Sequence, residues 1–314
     1  ALDAGQGLQL RRALEPGGAL RRRRLLRIEQ EGAYQPIIPE PWLAARLTGQ
    51  PLDPAPPPGA TLVRQKAGWD DLILPPARMA MLREFLLWIE QRDTVVDLWN
   101  GQRVGGPVAL FTGPSGTGKS FAAGVIAGAL GWQLYRVDLG RLVSKYVGET
   151  EENLNRLFDA AHGQPMVLQF DEADALFAKR GEVKEARDRY ANMEVSHLRT
   201  RIEAHDGPCI LTTNLRKQMD SAFTRRFQLV VEFPRPDAGA RAELWGRLLP
   251  SRAPLAPEVD VALLGGAVAL TGGSIRNAAL HAAYLAAAGG GPIGLAHIAR
   301  SEERRVGKEC RSRW

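Results

Sequence analysis

The chain has 314 residues, enough for two or three domains with cores of their own, and its 45% hydrophobic and 24% charged content is that of an ordinary globular protein. This balance excludes a fibrous or low-complexity chain. The most apolar late stretch, Asn277 to Ala299, is broken by His281, Gly289-Gly290-Gly291-Pro292 and His297, which suits a packed helix and a loop and not a membrane span. Two cysteines, Cys209 and Cys310, make neither a disulfide framework nor a metal site, so a reducing, cytoplasmic setting is expected, and the opening residues are not expected to be a signal peptide.

In chain order, residues 1–53 read as the remnant of an N-terminal domain. They carry Arg21-Arg22-Arg23-Arg24 and Arg27, interleaved with Leu20, Leu25, Leu26 and Ile28. Such a run is either a phosphate-binding patch or a solvated face, and the interleaved apolar residues favour a folded element over a free basic arm. Residues 54–60, with Pro54-Ala55-Pro56-Pro57-Pro58-Gly59, read as a semi-rigid linker.

From Thr61 the pattern alternates. Met79–Gln91 is amphipathic, with Leu82, Phe85, Leu86 and Ile89 at helical spacing. Strand Val108–Thr112, helix Phe121–Leu130, strand Gln133–Val137 and helix Thr150–Ala161 follow, then three short apolar runs, Met166–Phe170, Cys209–Thr213 and Leu229–Phe233. This alternation predicts an α/β fold, a parallel sheet covered by helices on both faces, over 61–235. After Pro234 and Pro236 the pattern turns helical (Ala238–Leu249, Val261–Leu270, Ser274–Ala288), which predicts a small helical lid over 236–299. Residues 300–314 resemble the conceptual translation of a sequencing adapter and are expected to be an artefact tail. They hold six basic and three acidic residues, so without them the formal charge falls from +6 to +3 and most of the case for nucleic-acid affinity goes with it.

The residues Gly113-Pro114-Ser115-Gly116-Thr117-Gly118-Lys119-Ser120 fit G-x-x-x-x-G-K-[ST] between an apolar strand and a helix. A Gly-rich turn at a helix N-terminus points backbone N–H groups and the positive end of the helix dipole at one spot, which suits phosphate. Lys119 is predicted to reach the β- and γ-phosphates of a nucleotide and Ser120 to hold Mg²⁺. Met166-Val167-Leu168-Gln169-Phe170-Asp171-Glu172 reads as a buried strand ending in two carboxylates: Asp171 for Mg²⁺, Glu172 to orient and deprotonate a water. Gln169 departs from the usual apolar residue there and is expected to satisfy its amide locally. Asn214, after Ile210-Leu211-Thr212-Thr213, is placed to position that water beside Glu172. Arg225 and Arg226 either offer cations for a transferring phosphoryl group or form an ordinary surface pair. Asp171-Glu172-Ala173-Asp174 also spells a helicase signature, but the other motifs fit a different family.

Taken together, these ordered motifs resemble the AAA family of the AAA+ class, from about Trp69 to Ala288. The resemblance implies a P-loop nucleoside triphosphatase core with ATP and Mg²⁺ as ligands. It also implies sensor 1 at Asn214, arginine fingers Arg225 and Arg226 acting in trans, and hence a homo-oligomeric ring, normally a hexamer. Lys145, Tyr146, Val147 and Gly148 resemble the aromatic pore loop of protein-remodelling members; the alternative is a turn with Tyr146 packed. Lys179–Tyr190 is a candidate second pore loop. Arg276, after a helix start that Ser274 is expected to cap, falls at a sensor 2 position or in a surface ion pair. More narrowly, four segments resemble single-ring bacterial members encoded beside phage-tail-like contractile injection systems: Trp69–Pro75, Leu134–Leu139, Arg189–Val195 and Ser274–Leu280.

The expected function is Mg-dependent ATP hydrolysis coupled to remodelling of a protein partner, with no membrane or nucleic-acid partner. A nucleic-acid motor would need a basic channel, and the aromatic Tyr146 argues for polypeptide. A non-hydrolysing nucleotide switch has no need of Glu172, Asn214 and the arginine pair together. No His-Glu-x-x-His motif supports a fused protease.

Overall fold

The architecture follows from the two-residue period of the apolar strands. In the computed structural model, which describes residues 56–64, 67–102, 105–139, 149–174, 196–214 and 227–306 with shorter pieces before residue 49, six strands form one sheet. Its order is β3 (Ala60–Val63), β5 (Gln133–Val137), β6 (Met166–Phe170), β7 (Cys209–Thr213), β4 (Val108–Thr112), β8 (Leu229–Glu232). All neighbours are parallel except β3, which runs antiparallel to β5 at the edge. The parallel sheet predicted from the alternation is present; the antiparallel edge strand is an addition. A separate pair, β1 (Leu26–Ile28) with β2 (Ile37–Pro39), places Arg27 in a strand.

Every residue of β4, β6 and β7 is buried, as strands covered on both faces require. Alternate side chains feed two cores. Leu110, Tyr135, Leu168, Phe170 and Leu211 pack with Leu154, Leu157 and Phe158 of helix α4 (Glu149–Ala161). Ala109, Phe111, Val167, Ile210 and Val231 pack on the other face with Leu82, Phe85 and Ile89 of α2 (Pro76–Asp93), and with α3 (Lys119–Leu130). Before these, α1 spans Ala4–Leu14.

A third core belongs to the helical C-terminal part: α5 (Ala238–Leu248), α6 (Val261–Ala267), α7 (Gly272–Ala288) and α8 (Leu295–Val306) around Trp245, Leu264, Ile275 and Ile298. Asp237 and Asp260 cap α5 and α6 by accepting from Ala240 N and Ala262 N, both at 2.8 Å. Helix α8 continues through Val306, into the segment set aside on sequence grounds, and the buried Ser301 hydroxyl donates to Ile298 O at 2.7 Å.

At the end of the sheet where β7 begins, His205 is buried against the Phe158 ring, with centroids 5.4 Å apart. Burial, and then the neighbouring His162, pushes its pKa down to about 4; Asp206 opposes this, and Arg201 and Arg92 reinforce it. The unfolded chain binds this proton near pH 6.5, so the stabilisation from burying neutral imidazole is complete above that pH and is lost as pH falls toward 4. Between pH 7 and pH 5 the loss from this group is about 2 kcal/mol. Urea midpoints at the two pH values should show it, and His205→Gln should lose less.

Candidate active site

The residues predicted to handle a nucleotide follow the C-terminal ends of three neighbouring strands. The glycine-rich loop follows β4, Asp171 and Glu172 follow β6, and Asn214 follows β7, which lies between the other two. Ligands of open α/β sheets sit at this end of the strands.

The loop is built on backbone that only glycine tolerates well. Gly113 has φ +139°, and a Cβ there would lie 2.2 Å from the carbonyl oxygen of Phe233. The loop is pinned by Gly113 N donating to Thr213 O at 3.3 Å and by the Thr117 hydroxyl donating to Pro114 O at 2.9 Å. Helix α3 then begins after Gly118, so its first-turn N–H groups receive no side-chain cap. Ser115 and Gly116 are exposed at the tip, and Ser120 is half-buried in the first turn of α3.

Lys119 is buried, and its ammonium donates to three acceptors: Gly113 O at 2.6 Å, Pro114 O at 2.9 Å and Asn214 Oδ1 at 2.9 Å. Desolvation holds its pKa below the usual lysine range, opposed by the charges of Asp171 and Asp174. The lysine and Asn214, predicted from separate motifs, are thus in direct contact.

Thr212 organises the paired carboxylates. Its hydroxyl donates to Asp171 Oδ1 and accepts from Glu172 N at 3.3 Å, while its carbonyl accepts from Ala173 N at 2.9 Å. Glu172 is exposed and adopts φ +51°, the left-handed region that a glutamate rarely enters. This left-handed residue directly follows Asp171, so the backbone turns at the strand end between the two carboxylates. The Asp171 carboxylate and Ser120 hydroxyl are hard oxygen donors. Mg²⁺ typically takes one or two carboxylates and completes its shell with phosphate and water, so this set fits it. Among the described residues no group of three or more His, Cys, Asp or Glu could hold a metal by itself.

The helical part reaches the loop directly. Gly273 N donates to Gly116 O at 2.8 Å, and a Cβ on Gly116 would meet Thr271 Oγ1 at 2.6 Å. The helix bearing Arg276 therefore starts on the phosphate loop, and Arg276 itself is exposed. The cap differs from expectation. Thr271, not Ser274, is the residue before the helix and makes no side-chain cap; its hydroxyl lies 3.2 Å from that of Ser274, inside the first turn. Gln169 also differs. It is buried between Arg136 and Ile210 in register, and its Nε2 has no hydrogen-bond partner among the described residues. Lys145, Tyr146, Val147, Gly148, Arg225, Arg226 and the stretch 179–190 lie outside the described residues.

Sequence reasoning passed over Thr212, Thr213 and Asp174. The signal was present: two hydroxyl residues close the apolar run before Asn214, and a third carboxylate follows Asp171 by one turn.

Residues 109–235 match the model of the AAA family, ATPase family associated with various cellular activities. Over this stretch the chain is similar to AAA-family ATPase domains. The matched stretch runs from β4 to just past β8 and includes the loop, both carboxylates and Asn214. Among curated relatives, the chain is 36% identical over 197 residues to the uncharacterised AAA family ATPase y4kL of Sinorhizobium fredii, covering 60% of this chain and 57% of y4kL. It is 32% identical to spastin of Naegleria gruberi over 56% of this chain and 34% of spastin. It is also 32% identical to vacuolar protein sorting-associated protein 4B of Mus musculus, over 66% of this chain and 47% of that protein. The chain thus spans little more than half of y4kL and less than half of the other two. Its fold matches the crystal structure of the FIGL-1 AAA domain in complex with ADP, with a TM-score of 0.61 at 19% identity over 78% of this chain and 86% of that one. Among the described residues, no helix is long and apolar enough to cross a membrane.

Proposed function

We propose that this chain hydrolyses Mg·ATP at the site between β4, β6 and β7 and couples turnover to remodelling of a protein partner, as a cytoplasmic homo-oligomeric ring. The observation that supports the reading best is the convergence of Lys119, Asp171, Glu172 and Asn214 at adjacent strand ends. In this reading the loop amides and Lys119 bind the phosphates, and Ser120 and Asp171 hold Mg²⁺, which offsets phosphate charge. Asn214 orients the water and Glu172 takes its proton. The water oxygen bonds to the γ-phosphorus as the bond to the β–γ bridging oxygen breaks, leaving ADP and phosphate.

The ring rests on sequence. Arg225 and Arg226 follow the pattern of residues that complete a neighbouring copy's site, and Lys145 to Gly148 follow that of a polypeptide-gripping loop, while Arg276 is assigned to the lid's response to ATP. Segments such as Trp69–Pro75 and Ser274–Leu280 extend the proposal to a single-ring ATPase of the contractile-injection-system type. The test is ATP turnover against protein concentration. Specific activity should rise with concentration, and Arg226→Ala should lose roughly 10³-fold or more. An equal mixture of Arg226→Ala with Glu172→Gln should regain activity that neither has alone. A fully active Arg226→Ala would sink the shared site.

A further inference from the structure

We infer that Asp174 is a positioning residue of the hydrolytic site, acting through Thr213 and the Asn214 backbone to fix the Asn214 side chain; this rests on the hydrolysis proposed above. One carboxylate oxygen, Asp174 Oδ1, accepts from both the Thr213 hydroxyl and Asn214 N, the latter at 3.2 Å. Asn214 is the first residue beyond β7 and is exposed, so the strand ladder does not hold it. Its Oδ1 nevertheless meets Lys119 Nζ at 2.9 Å. A continuous path therefore runs from the turn after β6, through the end of β7, to the phosphate loop.

The neighbouring Thr212 does the complementary task, bonding Asp171 and the Glu172 backbone. Successive residues of a strand point to opposite faces, so the two threonines grip the 171–174 turn from two sides. Thr212 fixes the metal-side carboxylate and the base, and Thr213 with Asp174 fixes the asparagine. Without Asp174, the Asn214 N–H and the Thr213 hydroxyl lose their common acceptor, and the asparagine is free to turn away from the water position. Water-positioning geometry is sensitive: displacement by about 1 Å can cost 100-fold in rate.

The experiment is a double-mutant cycle on ATP turnover with the full chain, with nucleotide affinity measured alongside. Asp174→Ala should lower kcat by roughly 100-fold and leave the Kd for ATP within about threefold. Asp174→Asn should recover most of kcat, because its amide oxygen still accepts from both donors. In an Asn214→Ala background Asp174→Ala should add less than about threefold, because both changes disable the same group. Thr213→Val, which removes one donor and keeps the volume, should show the same loss of effect in the Asn214→Ala background and serves if Asp174→Ala does not fold. Losses that multiply, or an Asp174→Asn as slow as Asp174→Ala, overturn the inference while the wild type still turns over. A wild type that binds ATP without turnover overturns the hydrolysis reading and the inference with it.

Discussion

Glu172→Gln should lower ATP turnover by roughly 10²- to 10⁴-fold and leave ATP binding within about threefold, so that the variant fills with uncleaved nucleotide. The amide keeps the size and polarity of the side chain but has no basicity for the water proton. Conformation should survive the change, because the left-handed backbone at Glu172 is imposed from outside the side chain. Glu172 N donates to the Thr212 hydroxyl, and Ala173 N donates to Thr212 O. A non-glycine residue in that region costs on the order of 1–3 kcal/mol, a strain sustained where the surroundings over-determine it. Single-turnover kinetics beside equilibrium nucleotide binding separates the two quantities. Equal losses in binding and turnover would mean that Glu172 holds the loop instead of the water.

Gly113→Ala should be among the most damaging single-atom changes in the chain. The added methyl lies 2.2 Å from the carbonyl oxygen of Phe233, an atom fixed in the sheet because Phe233 N donates to Thr112 O at 2.7 Å. Neither backbone can retreat without breaking that bond or the one from Gly113 N to Thr213 O. The φ of +139° adds strain that alanine cannot relieve. Together these are expected to cost about 3–5 kcal/mol, seen as a melting temperature lower by roughly 10 °C or more. Gly246→Ala, at a helical position with open space around its Cβ, is the matched control and should leave the melting temperature unchanged or slightly higher. If Gly113→Ala melts with the wild type, the loop is looser than its bonds imply.

Much of this site was legible because phosphate binding needs consecutive residues. The loop Gly113–Ser120 and the strand end Asp171-Glu172 each carry their chemistry within a few positions, and the five parallel strands announced themselves as short apolar runs. What sequence could not supply was contact between distant segments. Nothing in Thr271-Gly272-Gly273 says that it lies on Gly116. Two glycines are poor helix formers, and Ser274 looked the better start. The helix begins earlier because Gly273 N finds Gly116 O as its acceptor. Strand β3 escaped notice because four residues after a proline run give too short a pattern, and its antiparallel pairing with β5 is a tertiary choice. In the sequence Asp174 only closes the string Asp171-Glu172-Ala173-Asp174. Its role depends on β7 lying beside β6, an order that composition and periodicity leave open.

The most direct test is continuous phosphate release from ATP by the wild-type chain, with and without Mg²⁺, beside Glu172→Gln at matched concentration. Release that requires Mg²⁺ and is at least about 100-fold slower in the variant is the predicted result. Wild-type protein that binds ATP and releases no phosphate, or a variant that releases it equally fast, would contradict hydrolysis at this site.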